Sequence, residues 1–194
     1  MMETEIMGTL INGSWTENSD KLFKTGGFVR EASPYDHPLP ERVIASIHQA
    51  QNQYILIASL SCPWSHRTTL VRSVKKLTTR LPLIIASGPR IEGYAVDGNS
   101  IPGLKDSNIR HLHQLYTLSN PVYSGRSTVP VLWDSEENKI ICNDSAQIMR
   151  GLDAVSGDED VTLFPPSEQH RINSLSTRIH AGLSNAVYRA GLAR

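Results

Sequence analysis

The run QYILIASL (53–60) is apolar and partly β-branched without alternation, the pattern of a strand buried on both faces, and it stops at Ser61-Cys62-Pro63. Pro63 suits the first turn of a helix, where a backbone N–H is not needed. In the following WSHRTTLVRSVKKL, Leu70, Val71, Val74 and Leu77 recur at helical spacing, with Arg67, Arg72, Lys75 and Lys76 elsewhere. That spacing predicts an amphipathic helix with the four apolar residues on its buried face. PLIIAS (82–87) predicts a second buried strand, and the strand–helix–strand order predicts a parallel pair with a right-handed crossover. Glycine and proline interrupt residues 88–104 too often for a regular element, so this stretch reads as a functional loop. SNIRHLHQLYTL (107–118) predicts a short helix. TVPVLWD and NKIIC predict two strands joined by Ser135-Glu136-Glu137-Asn138 as an antiparallel hairpin. NDSAQIMRGLDAV predicts a helix with a polar N-cap group and Ile148, Met149 and Leu152 on one face.

This order of elements is that of a thioredoxin-like α/β domain, here residues 51–156, an analogy of fold that by itself gives no function. Residues 1–50 read as an N-terminal extension, punctuated by Gly26-Gly27, Ser33-Pro34 and His37-Pro38. From 157 to 194 the composition turns helical, with Ser167 a candidate N-cap and a long helical pattern from Glu168 to Ala190, which reads as the start of a second, all-helical domain.

A hydrophobic fraction of 39% in 194 residues is ample for a core, and Lys plus Arg balances Asp plus Glu at 19 each. No long-range field then draws the protein to nucleic acid or an anionic membrane, and a small-molecule partner is expected. No stretch reaches the roughly 18 apolar residues of a spanning helix, and MMETEIMGTLINGSW lacks the pattern of a secretion signal, which predicts a cytoplasmic protein. The two cysteines, Cys62 and Cys142, do not make a disulfide framework.

Cys62 falls where a strand meets a helix, and the free N–H groups and dipole of a helix N-terminus favour a thiolate. His66 and Arg67 follow within the first turns. The same residue equally fits a small buried hydrophobe. Thr128-Val129-Pro130 places a proline at the entrance of a buried hairpin; a cis Val129–Pro130 bond would present the Val129 backbone to an extended ligand, whereas an edge-strand proline is the plainer reading. Asp144-Ser145 at a helix start could hold the charged end of a γ-glutamyl group, and a simple N-cap explains the pair as well. Cys142 reads as a core or half-buried thiol, with a resolving role as the lesser alternative. His111 and His113, one residue apart on a helix, do not share a face, so a metal site is not expected. Trp15 reads as an anchor of the extension, Trp64 as a packing or pocket residue beside Cys62, and Trp133 with Asp134 as a lock on the hairpin.

Four blocks carry a resemblance: SCPWSHR (61–67), YSGRSTVPVLWD (123–134), NDSAQIMR (143–150) and NAVYRAGLA (185–193). In order and content they resemble the glutathionyl-hydroquinone reductases, the xi class of glutathione transferases. The resemblance implies that Cys62 removes glutathione from a glutathionylated hydroquinone and forms a mixed disulfide, which a second glutathione resolves with release of oxidised glutathione. It implies glutathione as co-substrate, no metal or nicotinamide, and a homodimer. By the same resemblance Val129 pairs with the glutathione backbone, Asp144 and Ser145 match a Glu-Ser pair holding the γ-glutamyl end, and Tyr188 meets the hydroquinone oxygen. Tyr94, after Gly93, stands where the family has a tryptophan at the glutathione, and Asp144 is one methylene shorter than the family glutamate. The family continues past the position of Arg194 through most of a helical domain. The sequence therefore reads as a truncated member whose face of Ile172, Leu175, Ile179 and Leu183 lacks its neighbours. An omega-like thioltransferase or dehydroascorbate reductase and a non-catalytic glutathione-binding module are the competing readings. The absence of a Cys-x-x-Cys partner, Ser65 standing at that position, points to glutathione as the resolving thiol.

Overall fold

The computed structural model describes residues 8–17, 32–88, 90–155 and 161–191. The breaks read at Gly26-Gly27 and Gly157, and the final residues 192–194, lie outside these. Strands β1 (Thr9–Ile11) and β2 (Ser14–Thr16) form a small hairpin, and α1 (Glu41–His48) follows. Next come β3 (Tyr54–Ala58), α2 (Pro63–Val74), β4 (Leu83–Ile85), α3 (Leu112–Ser119), β5 (Val131–Asp134), β6 (Lys139–Cys142) and α4 (Ser145–Ala154). The chain continues into α5 (Gln169–Ile179) and α6 (Asn185–Gly191), joined by a π-helical turn over His180–Ser184.

The four longer-range strands lie in the order β4-β3-β5-β6, with β3 parallel to β4 and antiparallel to β5, and β5 antiparallel to β6. This is the thioredoxin-like arrangement expected from the sequence. Because side chains alternate along a strand, β3 feeds two cores at once. Ile55 and Ile57 join Val131, Trp133, Leu112, Leu115 and Tyr116 on the α3 face, while Tyr54 and Leu56 join Leu132, Val71, Ile148 and Leu152 on the face covered by α2 and α4.

The segment preceding the domain is built into these cores. Leu10 of β1 is buried on the α3 face, and its backbone exchanges two 2.9 Å hydrogen bonds with Gly125. Leu39, Val43 and Ile47 pack α1 into the opposite core. Trp15 stacks on His113 at 4.6 Å, so it does anchor this segment.

Two expectations need correction. In α2 the buried residues are Ser65, Thr68, Val71 and Arg72, whereas Leu70 and Val74 are exposed. The polar residues can be inside because the backbone satisfies them: Ser65 Oγ accepts the Ser59 N–H at 3.2 Å, Thr68 donates to the Ser65 carbonyl at 2.7 Å, and Arg72 donates to the carbonyls of Leu81 and Thr78 at 2.6 and 2.9 Å. The segment 107–118 is helical only from Leu112, with His111 as an extended N-cap, so the rings of His111 and His113 stack at 5.6 Å instead of diverging. Among the described residues no group of His, Cys, Asp and Glu could hold a metal ion, and no helix is long and apolar enough to cross a membrane.

No residue of α5, the π-turn or α6 is buried, and Leu175, Ile179, Leu183 and Val187 are exposed. Lys75 fastens the connection to α5: its ammonium donates to the carbonyls of Asp153 and Val161, both at 2.8 Å, while the Asp153 carboxylate accepts the N–H groups of Leu163 and Phe164 at 2.8 and 2.9 Å.

Candidate active site

Cys62 is the N-cap of α2, with Pro63 in the first turn, and is 7% exposed. Its sulfur faces the Val129 carbonyl at 3.6 Å. The Val129–Pro130 peptide bond is cis. Among the described residues none takes the Val129 N–H, a backbone donor in the stretch beside the thiol.

Tyr94, in the 88–104 loop, packs against the core cluster that includes Cys62 and is influenced by its sulfur. Gly93 precedes it with φ +73°, a conformation a side chain would strain, and a Cβ there would meet the Trp15 ring at 3.3 Å. Burial pushes the Tyr94 phenol up to about 12, and the Cys62 sulfur adds to the shift while the Arg90 guanidinium opposes it. The phenol therefore keeps its proton at neutral pH and can offer a hydrogen bond to a sulfur anion. Arg90 lies over the Tyr94 ring at 4.4 Å and donates to Tyr94 Oη at 3.2 Å and Ser61 Oγ at 2.8 Å, which fixes the ring against the Cys62 loop.

Asp144 caps α4: its Oδ1 accepts the Gln147 N–H at 2.8 Å. It also lines a cavity of about 400 Å³ with Thr128, Asn143, Arg126, Asp36 and His180. The capping reading is thus correct, and it does not exhaust the residue, because a carboxylate has acceptor capacity beyond one bond. Ser145 is buried, and Arg67 grips its hydroxyl with two guanidinium nitrogens, Nε at 3.0 Å and Nη2. The sequence signalled Arg67 only as nearby positive charge. His66 is exposed and makes no such contact to the site.

From the helical segment, Tyr188 Oη accepts the Trp64 indole N–H at 3.1 Å, and the His180 ring lies 5.5 Å from that of Trp64. In a regular α-helix residues eight apart are turned about 80° from each other, but a π-turn absorbs about one extra residue and brings such a pair to within about 20° of the same face. The π-turn at His180–Ser184 is what lets both His180 and Tyr188 meet Trp64. Ser65, at the position a second redox cysteine would take, is fully buried with its hydroxyl committed to the backbone, and Cys142, fully buried under α4, donates to the Asp144 carbonyl at 3.6 Å.

Residues 61–155 match the glutathione S-transferase N-terminal domain family. The glutathionyl-hydroquinone reductase YqjG of Escherichia coli is 35% identical over 205 residues, covering 96% of this chain and 61% of the relative. The xi-class glutathione transferase of Natrialba magadii superposes with a TM-score of 0.80 at 28% identity, over 98% of this chain and 61% of that one. The chain is thus similar in sequence to glutathionyl-hydroquinone reductases and in fold to the xi class of glutathione transferases. The glutathione-bound structure of YqjG, a glutathione transferase homolog, superposes with a TM-score of 0.69 at 30% identity, over 96% of this chain and 59% of that one. A Schizosaccharomyces pombe relative described as glutathione S-transferase omega-like 2 is 34% identical, covering 92% of this chain and 59% of its own length. The chain spans about three fifths of the length of these relatives.

Proposed function

We propose that this chain carries out glutathione-dependent reduction of glutathionyl-hydroquinones through Cys62. The observation that carries the reading is the Cys62 sulfur, 3.6 Å from the carbonyl of Val129, whose N–H no described residue takes. The protonated Tyr94 stands near the sulfur, and Asp144 edges a cavity that Thr128, the neighbour of Val129, also lines. This is a nucleophile set beside an extended-peptide cradle, with no second redox thiol next to it. The glutathione bound to a homologue and the reductase name of a relative at 35% identity support the same chemistry.

In the first step the Cys62 thiolate attacks the glutathione sulfur of the conjugate. The new sulfur–sulfur bond forms as the sulfur–carbon bond breaks; the sulfurs are oxidised to a disulfide, and the ring carbon takes the electron pair and a proton to become the hydroquinone. In the second step a glutathione thiolate attacks the mixed disulfide, releasing oxidised glutathione and restoring Cys62. The sum is conjugate plus glutathione giving hydroquinone plus oxidised glutathione. Val129 pairs with the glutathione backbone, Asp144 takes the γ-glutamyl ammonium, and Ser145, held by Arg67, takes its carboxylate. Tyr94 donates to sulfur, and Tyr188 donates to the hydroquinone oxygen on which charge builds as the ring leaves. Cytoplasmic residence, where glutathione keeps thiols reduced, belongs to the same proposal.

The omega-like relative gives a second reading, thiol–disulfide exchange on glutathione mixed disulfides, which would use the same Cys62 without Tyr188. Chromatography of the products of a glutathionylated menadiol with excess glutathione separates the two. The proposal expects hydroquinone and oxidised glutathione in a one-to-one ratio, and neither with Cys62→Ala; turnover of mixed disulfides alone would leave the exchange reading.

A further inference from the structure

Trp64 is the second residue of α2, half-buried and one step from the Cys62–Pro63 junction. The Arg67 guanidinium lies over its ring, 4.8 Å from the centroid, the His180 ring lies 5.5 Å away, and its edge meets Tyr188. Packing alone would need only the ring. The edge contact has a polarity that packing does not require, because an indole N–H donates and never accepts.

With Trp64 Nε1 as donor at 3.1 Å, Tyr188 Oη is the acceptor, and the Tyr188 hydroxyl proton is turned away from the indole. A hydroxyl that accepts one hydrogen bond is polarised into a stronger donor of its own. The bond also spans the two parts of the chain, tying the helix that starts at the nucleophile to the segment that follows the π-turn. Arg67, over the ring, continues to Ser145, so one line of contacts runs from Ser145 through Arg67 and Trp64 to Tyr188.

We propose that Trp64 is a positioning residue for reduction of the conjugate: its N–H holds Tyr188 as acceptor and aims the Tyr188 proton at the oxygen of an aromatic diol bound beside Cys62. The inference rests on the role given to Tyr188 above. It assigns to the tryptophan a step that involves the diol oxygen and not the attack of thiolate on sulfur.

Trp64→Phe keeps a ring for Arg67 and His180 and removes the indole donor. The full chain, Trp64→Phe, Tyr188→Phe and the double variant are compared on glutathionylated menadiol and on exchange between glutathione and bis(2-hydroxyethyl) disulfide. Each single change is expected to lower kcat on the conjugate about tenfold with KM for glutathione held, and the ratio of conjugate reduction to disulfide exchange should fall by the same factor. The double variant should be no slower than Tyr188→Phe. The proposal is overturned if Trp64→Phe reduces the conjugate at the wild-type rate, if the two losses multiply to about a hundredfold, or if both reactions fall in parallel, as loss of packing would make them. A wild-type chain active in exchange but silent toward the conjugate would refute the hydroquinone reading itself, and the role of Trp64 with it.

Discussion

Replacing Asp144 by Asn and by Ala separates its two tasks. The side chain accepts the Gln147 N–H at 2.8 Å, an N-cap whose removal costs about 1 kcal/mol. In a chain of this size that loss lowers Tm by about 2–4 °C. Asn retains an acceptor oxygen and caps nearly as well, so Asp144→Asn should melt with the wild type while Asp144→Ala melts earlier. Ligand binding should respond differently. A hydrogen bond from an ammonium to a carboxylate is worth about 1.5–3 kcal/mol, and about 1.4 kcal/mol is tenfold in affinity. Both variants should therefore weaken glutathione binding at least about tenfold, Asn as much as Ala, because both lack the charge. Calorimetric titration with glutathione beside a thermal melt reads the two effects on one sample. Wild-type affinity in Asp144→Asn would refute the ligand role and leave the carboxylate a cap alone.

Three further outcomes follow from the packing and the buried groups. At pH 8 iodoacetamide should modify Cys62 once and spare Cys142, which is fully buried with its thiol pushed up to about 12 by burial; a native protein labelled at Cys142 would contradict this. In Gly151→Ala the new Cβ would sit 2.5 Å from Leu39 Cγ and 2.9 Å from Leu39 Cβ. Overpacking of about 2 kcal/mol outweighs a helix-propensity gain of about 1 kcal/mol, so a scan should show a lower Tm, and a higher one would show that the segment at Leu39 yields freely. Burial holds the His113 imidazole below its usual 6.5 despite the opposing Glu92 carboxylate. Its neutral form is favoured by folding, so this contribution is full above 6.5 and is lost as pH falls through the lowered value. Melts between pH 8 and pH 5 should show that decline, and His113→Gln should flatten it; an unchanged slope would place the dependence elsewhere.

The apolar runs at 53–60 and 82–87, the hairpin after Pro130 and the polar start of α4 were legible because each rests on local pattern or local capping chemistry. The cis bond at Pro130 was legible from the misfit of a proline at a buried strand entrance. The face of α2 was not, because Leu70 and Val74 fit the helical period as well as the residues that are buried, and what puts Ser65, Thr68 and Arg72 inside is their hydrogen bonds to distant carbonyls and to Ser59. β1, β2 and α1 lie in a segment without a long periodic pattern and exist by packing Leu10, Val43 and Ile47 into cores built by later residues. At the site, Cys62, Val129 and Asp144 came from motif position. The grip of Arg67 on Ser145, the packing of Tyr94 near Cys62 and the meeting of Trp64 with Tyr188 did not, since each joins residues that only the fold brings together. The last also depends on a π-turn that shifts the helical phase, for which the sequence analysis found no signal.

The central claim is that Cys62 takes glutathione from a hydroquinone conjugate. Its most direct test is the intact mass of the protein after incubation with glutathionylated menadiol and no free glutathione. The account predicts one glutathione adduct per chain, none on Cys62→Ala, complete loss of the adduct when glutathione is added, and free menadiol equal in amount to the adduct. A folded chain that gains no adduct, or an adduct that persists on Cys62→Ala, would contradict it.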